Sequence, residues 1–337
     1  MTYCIETFNL TKKYPLIKNY RDLLLHPLQK KESTALSEVN LKIKKGELFG
    51  LLGSNGAGKT TLIKIFCTMV LPTSGTTSIN GLDVIHQGKK IKKIIGYVIC
   101  DERSFYWRLT GRQNLKFFAR LNNVIRSDMD TKINDLLSFM DLSHEADKMF
   151  KDYSTGTRKK LAIARGLLTN PDILLMDEPT NALDPITAQK IRVFIREKLV
   201  NEMKKTVVFA THNLHEAEEL CDRIAFIHKG RVKITGTVEE IKKMISTEKY
   251  YVVELENPDV SLLEKISAFP LVKEIVNISE PTEVNTIEIE INTQTGSESI
   301  FHIIKHIIDM DGKICSFYQK ELSLVELFSR IIDKDSN

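Results

Sequence analysis

No stretch of this 337-residue chain comes near the roughly 18 consecutive apolar residues that a membrane-spanning helix needs. The longest apolar runs, such as Ile173–Met176 and Thr206–Ala210, have the length of buried strands. Any role at a membrane is therefore expected to run through other chains. The opening MTYCIETFNLTKKY carries no apolar segment of the signal-peptide kind. The five cysteines, at positions 4, 67, 100, 221 and 315, form no C-x-x-C pair. That argues against a zinc site and a disulfide framework, and fits a reducing cytoplasm. Charge of one sign is scarce too: 48 Lys and Arg against 44 Asp and Glu leave a net charge of +4. The basic residues are dispersed, and the short runs Lys42–Lys45, Lys89–Lys93 and Arg158–Lys160 read as solvated faces. A nucleic-acid interface would concentrate such charge, so no nucleic acid is expected as a partner. Internal repeats, low-complexity tracts and sustained heptads are likewise missing, which excludes solenoids and long coiled coils.

What the chain does have is 42% hydrophobic residues and a length sufficient for about two domains. Short continuous apolar runs at 47–52, 94–99, 173–177, 206–210 and 223–228 alternate with helical patterns. This predicts an α/β fold around a parallel sheet covered on both faces. Residues 3–10 and 35–44 alternate and read as edge strands, with a polar, basic insert over about 15–34 between them. From about 111 to 150 the period turns helical. Leu115, Phe118 and Leu121 share one face there, and Ile133, Leu136, Leu137 and Met140 another. Composition shifts near 245. Beyond it, strand-like and helical stretches follow in the order β-α-β-β-α-β as far as 318, which predicts a small α+β, ferredoxin-like unit. A last helix is expected at Ser323–Ile332.

The chemistry begins at Gly53-Ser54-Asn55-Gly56-Ala57-Gly58-Lys59-Thr60, followed by Thr61. This is G-x-x-x-x-G-K-[ST] between an apolar strand and a helix, the context that makes the motif specific for a nucleotide's phosphates. The glycines let backbone N–H groups turn inward, and the following helix aims its positive end at the same charge. Lys59 is expected on the β- and γ-phosphates of ATP and the Thr60 hydroxyl on Mg²⁺. Asp177 ends the apolar strand ILLMD, where a carboxylate can hold Mg²⁺ through water. Glu178 follows it and is the candidate general base. An isolated Asp-Glu at a strand end is otherwise an ordinary surface turn; the phosphate cradle gives it meaning.

With these residues in place, the stretch 3–240 resembles the ABC-type ATPase family, a P-loop NTPase fold with an inserted helical subdomain. The distinguishing segment is Tyr153-Ser154-Thr155-Gly156-Thr157-Arg158, where the family usually has Leu-Ser-Gly-Gly-Gln-Arg. Ser154 and Gly156 are kept; such variants are similar to those of drug- and polysaccharide-exporter ATPases. The resemblance implies that Ser154 and Gly156 cap the γ-phosphate held by a second copy, so that hydrolysis takes a homodimer. It implies that Asp184, in the run Pro179–Pro185, reports across that interface. It also implies that His212 orients Glu178 and the attacking water, and that Tyr14 stacks on adenine. Without the resemblance, a lone histidine after a strand or a tyrosine at a strand end would be unremarkable.

One departure stands out. The family's metal-binding glutamine after the strand at 94–99 is replaced by Cys100-Asp101-Glu102. Either acid suits hard Mg²⁺ better than the thiol, and which residue takes the role stays open. The aromatic segment Phe105–Leu109 that follows, with the sole tryptophan, either docks a membrane subunit or packs in the core.

The resulting expectation is an ATPase domain at 1–245, with its helical subdomain at about 111–165, and an accessory domain at 246–337 serving regulation or dimer support. The whole is expected to power a transporter, more readily an exporter than an importer, through separate permease subunits at the inner face of the cell membrane. A soluble ATPase of translation or DNA maintenance would instead carry two cassettes or a long coiled coil.

Overall fold

The computed structural model describes residues 2–15, 32–99, 102–245, 249–258, 260–278, 286–293, 297–320 and 326. Contacts divide the chain into two units, Met1–Val238 and Glu239–Asn337. Most of the expected insert at 15–34, and the expected helix at Ser323–Ile332 apart from one residue, lie outside the described residues.

In chain order the first unit contains β1 (Tyr3–Pro15), β2 (Glu32–Lys44), β3 (Leu48–Leu52), α1 (Lys59–Phe66), β4 (Ser74–Ile79), β5 (Leu82–Asp83), α2 (Gly88–Ile94) and β6 (Ile95–Ile99). There follow α3 (Gly111–Leu121), α4 (Met129–Phe139), α5 (Thr155–Gly166), β7 (Ile173–Asp177), α6 (Pro185–Phe194), β8 (Thr206–Thr211), α7 (Leu214–Leu220), β9 (Arg223–His228) and β10 (Arg231–Gly236).

The apolar runs form one sheet in the order β10-β9-β3-β8-β7-β6. Its pairs from β9 to β6 are parallel, and β10 is antiparallel to β9. β3 and β8 are buried at every position. Such strands cannot alternate, because helices cover both faces, and this is why they read as unbroken apolar runs. A second, antiparallel sheet has the order β2-β1-β4-β5. Its inward residues Ile5, Leu10, Leu36 and Ile43 join Phe49, Leu51, Leu62, Ile63 and Phe66 in one core.

Two sequence expectations fail here. β1 is not an edge strand, because β4 pairs with its far side. β4 (SGTTSI) is too rich in serine, threonine and glycine to stand out as a strand. Leu121, expected to share the buried face of Leu115, is 62% exposed; it is the last residue of α3, where the helix runs out past its packing partners.

In the second unit, β11 (Lys249–Glu256), β12 (Val272–Ile278), β13 (Thr286–Thr293) and β14 (Lys313–Lys320) form an antiparallel sheet in the order β12-β13-β11-β14. Helices at Val260–Ser267 and Ser297–Asp309 supply Ile266, Ile303 and Ile307 to its core, against Val253, Leu255, Ile289 and Ile291. The chain order is β-α-β-β-α-β. None of the described helices is long and apolar enough to cross a membrane.

A nucleotide site at the carboxyl ends of three neighbouring strands

β3, β8 and β7 are neighbours and parallel, so the turns after them open on one edge of the sheet. That edge is where ligands of open α/β sheets bind. The turn after β3 is Gly53–Gly58. A side chain at Gly53 would put its Cβ 2.3 Å from the Ile227 carbonyl oxygen, so only glycine fits. Gly58 has φ +113°, and a Cβ there would lie 2.7 Å from the Ala35 carbonyl oxygen of β2. The antiparallel sheet thus braces the loop from outside. α1 starts directly after Gly58, which leaves its first N–H groups without intrahelical acceptors and pointed at the space an anion would fill.

Lys59 is 4% exposed. Its ammonium donates to the carbonyl oxygens of Gly53 at 2.7 Å and Ser54 at 3.0 Å, which folds it back over the loop. Burial pulls its pKa down, with the Glu178 and Asp177 carboxylates opposing. Asp177 is the reverse case. Burial pushes its pKa up, and a hydrogen bond from Thr60 opposes that shift. The Thr60 hydroxyl and the Asp177 carboxylate thus form a pair of hard oxygen donors, the kind that Mg²⁺ takes alongside nucleotide phosphates. Among the described residues no cluster of three or more His, Cys, Asp or Glu is placed to hold a metal by itself.

Glu178 continues the ladder, its N–H donating to the Ala210 carbonyl at 2.9 Å. It then turns with φ 49°, a left-handed conformation that non-glycine residues rarely adopt. The turn swings its carboxylate over the loop: Oε1 lies 4.0 Å from the Lys59 ammonium and 2.9 Å from Nδ1 of His212, the residue after β8. Asn181 donates to Oε2 at 3.0 Å. Reading the sequence missed this asparagine, which stood there only as one position in a run; its spacing of three from Glu178 in a tight turn was the available signal.

Other expected residues stand apart. Ser154 caps α5, accepting from the Thr157 N–H at 3.2 Å. Asp184 caps α6, accepting from the Thr187 N–H at 2.9 Å. Bonds from Thr187, side chain and backbone, hold the Asp184 pKa below the ordinary carboxylate value. A Cβ on Gly156 would meet Thr187 Cγ2 at 2.7 Å, so the starts of α5 and α6 abut. Together they line a cleft of about 540 Å³ with Lys160 and Lys190, and no residue of the phosphate loop lines it. Tyr14 is on β1, in register with Ser33, two residues before the Ala35 that touches the loop. The Lys12 ammonium lies 5.0 Å over its ring.

Cys100, Asp101 and the Glu102 side chain are outside the described residues. The ends of their loop are held by Arg165 of α5, which donates to the Ile99 and Ser104 carbonyls, each at 3.1 Å. The aromatic segment after it is only partly in the core. Phe105 is buried and stacks on Phe150 at 4.7 Å. Tyr106 and Trp107 are 49% and 45% exposed. A groove of about 500 Å³ lined by Tyr97, Ile99, Ser104, Phe118 and Arg165 lies beside them.

A phosphate loop, a strand-end acid pair and a histidine on the neighbouring strand end define a P-loop ATPase. Comparison with known proteins narrows the class. The family model for ABC transporter domains matches residues 36–181. The chain is 36% identical over 213 residues to the ABC transporter ATP-binding protein NatA of Bacillus subtilis, covering 63% of this chain and 86% of NatA. It is 34% identical over 243 residues to the bacitracin transport ATP-binding protein BcrA of Enterococcus faecalis, 72% of each chain. Against the uncharacterized ABC transporter ATP-binding protein YcbN of B. subtilis it is 33% identical over 336 residues, 100% of this chain and 99% of YcbN. Among solved structures, the cassette MJ0796 in a dimeric post-hydrolysis state with ADP and Pi superposes with a TM-score of 0.59 at 28% identity, over 69% of this chain and 98% of that one. The chain belongs to the ABC transporter ATP-binding proteins. It binds nucleotide and hydrolyses ATP as the ATPase subunit of a transporter.

Proposed function

We propose that two copies of this chain close as a two-fold pair on two molecules of ATP, each site built from the phosphate loop of one copy and the Ser154 helix start of the other. The observation that carries the reading is the Glu178–His212 pair, 2.9 Å apart, above a buried Lys59. Lys59 neutralises charge on the β- and γ-phosphates, with the backbone of Gly53–Gly58 and the side of Thr61 completing the cradle around Ser54, Asn55 and Ala57. Thr60 and Asp177 would hold Mg²⁺, which would supply charge neutralisation on the phosphates of the nucleotide. Glu178 accepts the proton of the attacking water, and His212 fixes the orientation of that carboxylate and contacts the γ-phosphate. Tyr14 stacks on adenine. Ser154, Gly156 and the N-terminus of α5 supply donors to the partner's γ-phosphate, and Asp184 carries the state of that interface into α6.

The groove lined by Tyr97, Phe118 and Arg165 suits a helix from a permease subunit at the inner face of the cell membrane. Arg165 grips both ends of the adjoining loop, so a partner seated there would pull on the strand next to β7. Similarity to a bacitracin transport ATPase supports export as the direction. To the unit after 238 we assign regulation or dimer support.

Glu178→Gln tests the base. Turnover is expected to fall about 100-fold or more, with ATP affinity nearly unchanged and a dimer trapped with MgATP. Wild-type turnover in that variant would end the assignment. Lys59→Ala is expected to fail earlier, at nucleotide binding.

A further inference from the structure

Glu216, on α7, is 6% exposed and takes no part in the chemistry above. Its carboxylate is spoken for at both oxygens. Oε2 accepts from the hydroxyl of Thr180 at 2.9 Å and from that of Thr211 at 3.0 Å. Oε1 accepts from Arg192 Nη1 at 3.2 Å. Thr180 lies two residues after Glu178, and Thr211 immediately precedes His212. Both threonines are nearly inaccessible, at 5% and 3% exposure. The Thr211 oxygen also accepts the Asn213 N–H at 2.9 Å, so its proton is committed to Glu216. Arg192 lies on α6, the helix that Asp184 caps, and is further tied to Glu219 at 3.3 Å.

One buried carboxylate therefore joins the segment after the base, the residue before the histidine and the helix leading from Asp184. We propose that Glu216 is a positioning residue for hydrolysis: it sets the separation of Glu178 and His212 and links that separation to α6. The inference rests on reading Glu178 as the base. The chemistry favours a carboxylate at this place. Glutamine keeps one acceptor oxygen, so its amide group must face either the two hydroxyls or Arg192, and one side of the clamp opens. The left-handed backbone at Glu178 makes the clamp consequential, since a residue held at φ 49° needs its neighbours fixed to stay there.

A purely structural Glu216 would lower stability and leave the catalytic step alone, so the test separates the two. The full-length chain is assayed with MgATP as wild type, Glu216→Gln, and the double variant Thr180→Val/Thr211→Val. Valine matches threonine in shape and removes the two donors to Glu216, together with the Thr211 acceptor of the Asn213 N–H. Melting temperature, equilibrium ATP binding, kcat and KM are measured for each. The expected result is a drop in kcat of about tenfold or more with ATP affinity within about threefold of wild type. In a Glu178→Gln background, adding Glu216→Gln is expected to cost almost nothing further, because both act through one group. Unchanged kcat in the folded variants overturns the proposal, and so does a full additional loss in the Glu178→Gln background. If Glu216→Gln fails to fold, the threonine pair decides by the same criteria. Should Glu178→Gln itself retain turnover, the base assignment is at fault; should it lose turnover while the Glu216 and threonine variants keep it, only the positioning role falls.

Discussion

Glu47 shows how a single residue can carry a pH dependence far from the nucleotide. It sits at the entry to β3, 7% exposed. Its Oε1 accepts the Lys44 N–H at 2.5 Å and Arg223 Nη1 at 3.3 Å. Burial pushes its pKa above the ordinary 4.5, and the Lys44 N–H and Arg223 only partly offset this. The folded chain then holds this proton more tightly than the unfolded chain. Its contribution to stability is present below pH 4.5 and is lost as pH rises through the raised folded value. Glu47→Gln keeps an acceptor for the Lys44 N–H and cannot titrate. Melting curves between pH 4 and 7 are expected to show a shallower loss of stability with rising pH in the variant, by about the slope of one proton; an identical slope would contradict this. The same scale explains what the sequence left hidden. Motif spacing reaches Lys59, Thr60, Asp177 and Glu178 because a bound polyphosphate dictates those residue types. Glu216 and Arg192 sit in stretches rich in charge that read as solvated helix faces, and only the packing of α6 against α7 turns them inward.

At the scale of elements, the cap of α3 bears on the groove proposed for a partner. Thr110 accepts the Gln113 N–H at 3.1 Å, and the Gln113 side chain accepts the Thr110 N–H at 2.9 Å, a reciprocal cap. One turn on, Asn114 is fully buried, accepts the Tyr106 N–H at 2.9 Å and donates to the Tyr106 carbonyl at 3.0 Å. The start of α3 thus holds the exposed aromatic segment in place. Thr110→Ala is expected to cost about 1 kcal/mol in unfolding free energy and to leave ATP turnover of the isolated chain intact. Denaturant titration measures the first and a turnover assay the second; a stability change near zero would mean that the cap is made by other groups. α3 and α4, with one clear helical period, and the parallel strands, as unbroken apolar runs, were legible. β4, β5 and β10 were not, because such short strands owe their state to the neighbours they pair with rather than to their own residues.

For the whole molecule, the decisive feature is a separation. Lys59, Asp177, Glu178 and His212 converge on one place, while Ser154, Gly156 and Asp184 line another cleft that no phosphate-loop residue enters. In the proposed dimer the starts of α1 and α5 serve as the two anion sites, one from each copy. In the proposed two-fold pair each loop meets the other copy's Ser154, and an isologous interface repeats that contact at both sites. The consequence can be measured on variants that cannot turn over. Glu178→Gln with MgATP is expected to run as a dimer in size-exclusion chromatography. Glu178→Gln/Ser154→Arg keeps the entire phosphate loop and is expected to bind ATP with similar affinity while remaining a monomer, because the arginine fills the space where the partner's γ-phosphate must enter. A double variant that dimerises as fully as the single one would place the second anion site elsewhere, and the motif at Ser154 would then be only the cap of α5.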